Sequence, residues 1–450
     1  MKWITKFSAL GVVAALALVA CQKDNVSYPK LQKGISITAS TSSSVRTTFD
    51  GQATKWAAGD EMCVLIEGNN YSTPTPHLFT LTDAATNQFT NATAGVDYEL
   101  EYDFYAVYSS DEVTINEGTT VTVQIGAATQ TQAGSDPNHI AALDPLTGCT
   151  LATKPNEVGI EMNHNAAVLA VAIRNNAPMT GIQSLQIEAE EGITLYGKFD
   201  IDIADGAISG GIDTGRSVVV EVEDSGVVAT DEEFIVYAAI APCQLAANST
   251  LKFTVTESNG TVYELVKEFP NGRTISAGDL LSTTLNMSAA NTTTYNILFT
   301  SGNIPAGFPA NDDDSVKDAT TYFSFNGVTL GFNCKGGYST SNTTDDYLIF
   351  NTTSKSGAMI VIPKLDGCTL AEATLLNDIT GKHRASLYNA DGIVKIVGGT
   401  GNPVDSKKLA SDATILSPTT TADVDYIYVY NDSSTNPYRC QGLCLKYVKQ

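Results

Sequence analysis

Histidine is scarce in this chain: four in 450 residues, at positions 77, 139, 164 and 383. Positive charge is scarce too, with 26 Lys and Arg against 49 Asp and Glu. That second shortage bears on partners. A formal charge of −23 repels phosphate, which argues against nucleic acids and anionic lipid head groups. No Cys-x-x-Cys pair and no Cys/His cluster occurs, which argues against zinc. Nucleophile elbows, nucleotide loops and metalloprotease signatures are absent as well. Helical periodicity is nearly absent, and after residue 20 no apolar run is long enough to cross a bilayer.

What is present starts at the N-terminus. Lys2 and Lys6 precede an apolar run, Leu10 to Ala20, of signal-peptide length. The run ends on Leu18-Val19-Ala20-Cys21, a lipobox, so residues 1–20 read as a lipoprotein signal peptide. Cys21 is the expected lipid-attachment residue and the first residue of the mature chain. The lipid is then the expected anchor to the outer membrane. Without Lys2 and Lys6 the formal charge moves from −23 to −25, a balance that favours solubility at a surface. Residues 21–34 are polar and read as a tether. Seven further cysteines, at 63, 149, 243, 334, 368, 440 and 444, are an odd and scattered set, which argues for free thiols in strands. Cys440 and Cys444, four apart on one expected strand, would be too distant to bond.

Alternation of apolar and polar residues runs throughout. Leu251, Phe253 and Val255 share a strand face, and Asn259-Gly260 turns the chain before Tyr263 and Leu265. Phe323 and Phe325 precede a second Asn-Gly, followed by Val328, Leu330 and Phe332. Asp205-Gly206 and Asp391-Gly392 look like further turns, and 217–223 and 425–430 are strong strands. About 430 mature residues suit two to four domains. Three blocks are expected, at 35–150, 156–288 and 295–450, with a small polar linker over 288–294. The class expected is all-β, built of sandwiches.

Some motifs recur in a recognisable order. Arg46-Thr-Thr-Phe49 leads to Thr54-Lys-Trp-Ala-Ala-Gly-Asp60. Tyr102-Asp-Phe-Tyr-Ala-Val-Tyr108 follows, then Gln130-Thr-Gln132 and the stretch to Leu146. Met162-Asn-His-Asn-Ala-Ala-Val-Leu169, Leu195-Tyr-Gly-Lys-Phe199 and Ile275-Ser-Ala-Gly-Asp279 complete the series. Over about 35–288 this order resembles the fimbrillin (Mfa-like and FimA-like) family of Bacteroidetes surface lipoproteins. The resemblance implies two tandem transthyretin-like β-sandwiches and a role in adhesion or pili. It also implies strand exchange in pilus subunits after proteolysis at an arginine; Arg46 is the one candidate before Arg174. The competing reading is that Arg46 merely begins a strand. Gln22-Lys-Asp-Asn25 resembles the export signal that carries such lipoproteins to the cell exterior.

The landmarks also have plain structural readings. Trp56 would be a core aromatic, and Gly59-Asp60 a tight turn into a strand at 61–66. No nucleophile motif and no acid partner accompanies His164, so it reads as a strand histidine satisfied by neighbouring backbone.

The third block, 295–450, lies beyond the resemblance. It reads as a jelly-roll or galactose-binding-like sandwich, with residues 357–370 forming strand, turn and strand. Such folds hold sugars on aromatic faces and side-chain amides. The glycan-binding candidates are Tyr338 in a loop-like stretch, Tyr388, Asn389 and Asp391 at a turn, and Tyr438 with Arg439. Tyrosines covering sheet edges are the plainer reading of each. Asp312, Asp313, Asp314, Asp345 and Asp346 form acidic clusters without EF-hand spacing, weak calcium candidates against a reading as solvated loops. No metal site or cofactor is expected. A glycosidase would need two facing carboxylates, but the acidic residues lie mostly in turns, and no enzyme is expected. The reading is a lipid-anchored outer-membrane adhesin or fimbrial tip protein that binds a host or glycan ligand, with other fimbrial subunits as candidate partners. A pilus subunit cut near Arg46, and a glycan-binding protein of a polysaccharide-uptake system, are the alternatives.

Overall fold

The computed structural model describes residues 32–41, 56, 59–299, 303–308, 321–333, 336–339, 347–350, 358–363, 365–376, 385–389, 414–415, 426–431, 438–440 and 442–449. Their only helical pieces are two 3-10 turns, Pro137–Ala142 and Met287–Ala289. The all-β class expected from the alternation is the class observed.

Seven strands close a barrel in the order Gln32–Thr41, Gly159–His164, Leu146–Thr153, Tyr102–Tyr108, Glu61–Gly68, Tyr71–Asp83 and Gln88–Val96. Gln32–Thr41 closes it, parallel to Gly159–His164 and antiparallel to Gln88–Val96. Met62, Val64 and Ile66 alternate into the interior with Phe79, Phe89 and Phe104. Trp56 is buried there, edge-on to Phe89 and Tyr108 at centroid distances of 5.1 and 4.9 Å. Gly59, at φ +92°, makes the turn into Glu61–Gly68.

Strands cross between the first two blocks. Gly159–His164 completes the barrel of the first. In return, Thr120–Ile125 pairs with Tyr196–Asp202, and Thr129–Ala133 runs parallel to Ser217–Glu223. The sheet made by the first of these exchanges covers the outside of the barrel. Leu65, Tyr105 and Val107 pack there against Val121, Val123, Ile125, Phe199 and Ile201. Glu61–Gly68 and Tyr102–Tyr108 therefore bury residues on both faces, which explains their consecutive apolar positions.

The second block is a sandwich. A three-stranded sheet in the order Phe234–Ile240, Ala167–Arg174, Leu280–Asn286 packs on a nine-stranded sheet. Leu251, Phe253 and Val255 point into the core, as their alternation predicts. Ser249–Glu257 and Val262–Phe269 form the hairpin expected around Asn259-Gly260. At the second Asn-Gly, Asn326 and Gly327 have φ of +47° and +80° between strands Thr321–Phe325 and Val328–Asn333. Two positive φ values are what a type I′ turn requires, and Asn-Gly adopts them with little strain.

Two glutamines close one side of this sandwich. Phe234–Ile240 is an edge strand, so its outward N–H and C=O groups need partners. Gln130 Nε2 donates to Ala239 O at 2.7 Å, and its Oε1 accepts from Ala239 N at 2.9 Å. Gln132 Nε2 donates to Ile235 O at 2.9 Å, and its Oε1 accepts from Tyr237 N at 2.7 Å. The side-chain amides do the work of a neighbouring strand. Gln130→Ala would leave both polar groups of buried Ala239 unpaired, a loss of about 2–6 kcal/mol at roughly 1–3 per group. A urea titration measures this; an unchanged midpoint would refute the assignment.

The nine-stranded sheet does not stop at the second block. Beyond Val262–Phe269 it continues through Thr292–Leu298, Gly442–Lys449, Cys368–Leu376 and Thr414–Ile415. Residues 288–294, read as a linker, therefore hold the end of a 3-10 turn and the start of a paired strand. Thr292–Leu298 bonds to Val262–Glu264 on one side and to Gly442–Val448 on the other. Gly442 passes so close to Ile297 that an added Cβ would lie 2.3 Å from its carbonyl oxygen. The rest of the third block forms a five-stranded sheet (Thr321–Phe325, Val328–Asn333, Ala358–Pro363, Tyr426–Asn431, Ala385–Asn389) and a three-stranded one (Gly336–Ser339, Tyr347–Phe350, Tyr438–Cys440). Phe299, Phe308, Phe325 and Phe332 meet ring to ring, Phe308 and Phe332 at 5.1 Å. Cys440 and Cys444 lie on different strands in different sheets, not on one strand as expected.

Candidate functional site

The shared sheet creates a cavity. Register places Val255, Tyr263, Thr293 and Tyr447 in one row across four strands, on one face. At one end of the row this face is covered by the second block's packing layer, at the other by the third block's. Between the two covers lies a cavity of about 350 Å³. Residues 175–178, Met287, Ser288 and Ala290 line it from the second block, and Asn326, Gly327, Leu365, Asp366 and Cys368 from the third. The volume is at the lower end of the roughly 300–1,000 Å³ usual for ligand pockets.

Its floor is aromatic and hydroxylated. Tyr295 and Tyr447 meet edge to face at 5.9 Å, with Tyr263 beside them. Glu257, only 3% exposed, is held by Thr180 N at 2.8 Å, Thr180 Oγ1 at 2.9 Å and the Tyr263 hydroxyl at 2.7 Å. Burial pushes the Tyr263 phenol up, and the Glu257 charge pushes it further, so it stays a donor. Burial also raises Tyr447, whose hydroxyl donates to Pro363 O at 2.7 Å and so ties the shared sheet to the five-stranded one. Tyr295 is raised by burial as well, and its hydroxyl has no hydrogen-bond partner among the described residues. Asn326 donates from Nδ2 to Asn259 O at 3.0 Å and Asn296 O at 3.1 Å, which leaves its Oδ1 as an acceptor. Asp366 and Lys449 are exposed at the rim.

The residues singled out from the sequence lie elsewhere. Tyr338 is on strand Gly336–Ser339 rather than in a loop. Tyr438 and Arg439 sit in the same sheet, two strands away, across Tyr347–Phe350. Tyr388 and Asn389 end a strand of the five-stranded sheet, paired with Tyr428 and Ile427. Topology thus brings Tyr338 and Tyr438 into one sheet and puts Tyr388 in another. Cys21, Arg46, Asp391 and the carboxylates Asp312, Asp313, Asp314, Asp345 and Asp346 lie outside the described residues. Among the described residues no group of three His, Cys, Asp or Glu side chains could hold a metal ion. The cavity was hidden from sequence reading because its walls come from segments up to 270 residues apart, near residues 177 and 447.

His164 does have an acid partner, contrary to expectation. Its Nδ1–H donates to Asp144 Oδ2 at 2.7 Å, and Asp144 Oδ1 accepts from Ala166 N at 2.9 Å. Both side chains are buried. The partner lies 20 residues back, past two strands, so no local motif betrays it. His77 and His139 are different: each has a buried ring nitrogen with no partner among the described residues. Burial pushes both pKa values down from 6.5. A lowered histidine is neutral when folded and protonates more readily when unfolded. Its stabilisation is complete above about pH 6.5 and lost as pH falls below that. Thermal midpoints should fall between pH 7.5 and pH 5.5, and a His77→Gln/His139→Gln variant should flatten the slope.

Four thiols, of Cys63, Cys149, Cys243 and Cys368, are free. Burial pushes Cys63 up to about 12 and Cys243 to about 11, which makes them poor nucleophiles.

No family model matches the chain, and no curated protein matches it. Solved structures do align. A proposed cell adhesion protein of Bacteroides ovatus aligns at 11% identity over 58% of this chain and 94% of its own, with a TM-score of 0.39. One from Bacteroides uniformis aligns at 14% identity over 57% and 93%, with a TM-score of 0.38. A proposed adhesin of Bacteroides thetaiotaomicron aligns at 15% identity over 53% and 80%, with a TM-score of 0.30. Scores this low carry no argument about function.

Proposed function

We propose that this chain is a lipid-anchored cell-surface adhesin that holds its ligand without chemistry. The observation that carries the reading is the lipobox at Cys21, followed by fimbrillin-like landmarks in order across 35–288. The architecture supports it. A lipid at the N-terminus places the barrel nearest the membrane, and the shared sheet fixes the third block to the second. Mechanical continuity suits a protein that is pulled at one end and anchored at the other. A flexible linker would not supply it. The raised thiols of Cys63 and Cys243 and the buried His164–Asp144 pair fit structural roles.

The test is made on intact cells. Cys21→Ala should abolish incorporation of labelled palmitate and release the protein from the envelope. External protease should reach the third block in wild-type cells. Adherence to glycan-coated or host-cell surfaces should drop in a deletion strain. A protein found protected from external protease would sink the reading.

One observation favours a second reading, as a pilus subunit assembled by strand exchange. Gln32–Thr41 is the strand N-terminal to Arg46, and Ile35, Ile37 and Ala39 on it are buried in the barrel. Cleavage at Arg46 would free that strand and leave a strand-wide slot between Gln88–Val96 and Gly159–His164. Mass spectrometry of envelope protein decides between the two: a chain starting after Arg46 supports the subunit, one starting at lipidated Cys21 the adhesin. A role as a glycan-binding protein of an uptake system differs in the fate of the ligand, which would enter the cell.

A further inference from the structure

We infer that the cavity between the second and third blocks is a binding site for a neutral sugar. This rests on the adhesin reading and deepens it by naming a ligand class and a place. It also moves recognition away from the outer tyrosines of the third block to the seam between blocks.

Three observations converge. The first is shape. The cavity of about 350 Å³ suits one or two sugar rings, and it exists because one sheet runs beneath two separate covers. Its walls are strands of a continuous sheet and short turns, so it is already formed without ligand. The second is the floor. Tyr295, partly exposed, offers a ring surface of the kind that packs on the apolar face of a pyranose, and the buried Tyr263 and Tyr447 back it. The third is the polarity of the unused hydrogen-bonding capacity. Asn326 has spent both amide protons on backbone carbonyls. Glu257 Oε1 accepts one bond, from Tyr263, and keeps room for a second. Asn259 likewise uses its carbonyl on Thr261 N at 2.8 Å and turns its amide toward Glu257. These groups leave acceptors open, while the Tyr295 hydroxyl and the side-chain amides of Asn175 and Asn176 leave donors open. A complementary ligand must both donate and accept, and hydroxyl groups do so.

The charges at the cavity argue against anions. A phosphate or carboxylate ligand would face the buried Glu257 charge and the rim carboxylate of Asp366, with Lys449 the one cation among the described lining residues to offset them. The ligand class is therefore uncharged and polyhydroxylated.

The experiment uses the complete mature chain and isothermal titration with cellobiose, mannobiose and N-acetyllactosamine, with sialyllactose as an acidic comparator. Two variants are compared. Ala177→Trp fills the cavity from an exposed wall position, and Tyr295→Phe removes one hydroxyl that has no described partner. Binding of at least one neutral disaccharide is expected. Ala177→Trp should abolish it, and Tyr295→Phe should weaken it about tenfold, the equivalent of one hydrogen bond. The sugar should be recovered intact. No binding of the three neutral sugars, or wild-type binding by both variants, overturns the inference. The adhesin reading is scored separately by adherence of cells carrying Ala177→Trp. Adherence that persists alongside failed titrations leaves that reading standing while the sugar site falls.

Discussion

Asp144→Ala should cost the protein about 2–6 kcal/mol of folding stability. Asp144 is 4% exposed and His164 is 7% exposed. The carboxylate accepts from the His164 ring at 2.7 Å and from Ala166 N at 2.9 Å. Both donors would be stranded in the interior by the substitution, at roughly 1–3 kcal/mol each, with a cavity added. The position magnifies the effect. His164 ends the last strand of the barrel, Ala166 precedes the first strand of the sandwich, and Asp144 precedes the strand that pairs with Gly159–His164. One side chain therefore fixes the corner at which the chain leaves one unit for the next. Neighbouring Asn165 repeats the pattern, donating to Pro145 O at 3.0 Å and to Thr147 Oγ1 at 3.0 Å. Asp144→Asn is the informative control. Its carbonyl can still accept from Ala166, so it should lose about half as much. Urea denaturation followed by tryptophan emission measures both, since Trp56 lies in the adjoining barrel. A variant within about 0.5 kcal/mol of wild type would mean that the pair is not structural.

How much of this could be read from sequence follows a physical divide. Alternation reports which face of a strand is buried, and the inward set Leu251, Phe253 and Val255 was legible for that reason. Asn-Gly turns were legible because positive φ is a local demand. Trp56 was legible as core because a single large aromatic in a turn-rich stretch has few other places to go. Partner choice was not legible. The residues of Gly442–Lys449 announce a strand but not that it lies against Thr292–Leu298, some 150 residues earlier. Nor do Gln130 and Gln132 announce that their amides replace a strand at the edge of Phe234–Ile240. The 288–294 segment misled because Ser, Asn and Thr suit loops and edge strands alike. The site suffered most, since it is an emergent gap between two covers. Tyr338, Tyr388 and Tyr438 stand out in the sequence for local aromatic and turn character, whereas Tyr263, Tyr295 and Tyr447 resemble ordinary alternating strand residues. Only topology distinguishes them.

Ile37→Asp should destabilise the first unit by more than about 4 kcal/mol and expose its seam. Ile37 is fully buried, and it faces the barrel interior with Ile35 and Ala39. A carboxylate there would have no described partner, and placing an unpaired charge or a buried protonated acid in this interior costs several kcal/mol in either form. The position makes the effect topological as well. Gln32–Thr41 is the single strand joining Gln88–Val96 to Gly159–His164, and without it the barrel becomes an open sheet with two unpaired edges. The barrel is then the part that fails, while the sandwich keeps its own core of Leu185, Ile187, Val218 and Val236. Limited proteolysis with mass readout separates the two. New cuts should fall within 61–153 before any fall within 167–286. A second experiment tests the strand itself: a free peptide of residues 32–41 added to a chain lacking them should restore protection of the barrel. Restoration would show that the slot accepts a strand supplied from outside, as the subunit reading requires. Failure of the peptide to bind, with the barrel unfolded, would confine Gln32–Thr41 to a folding role within its own chain.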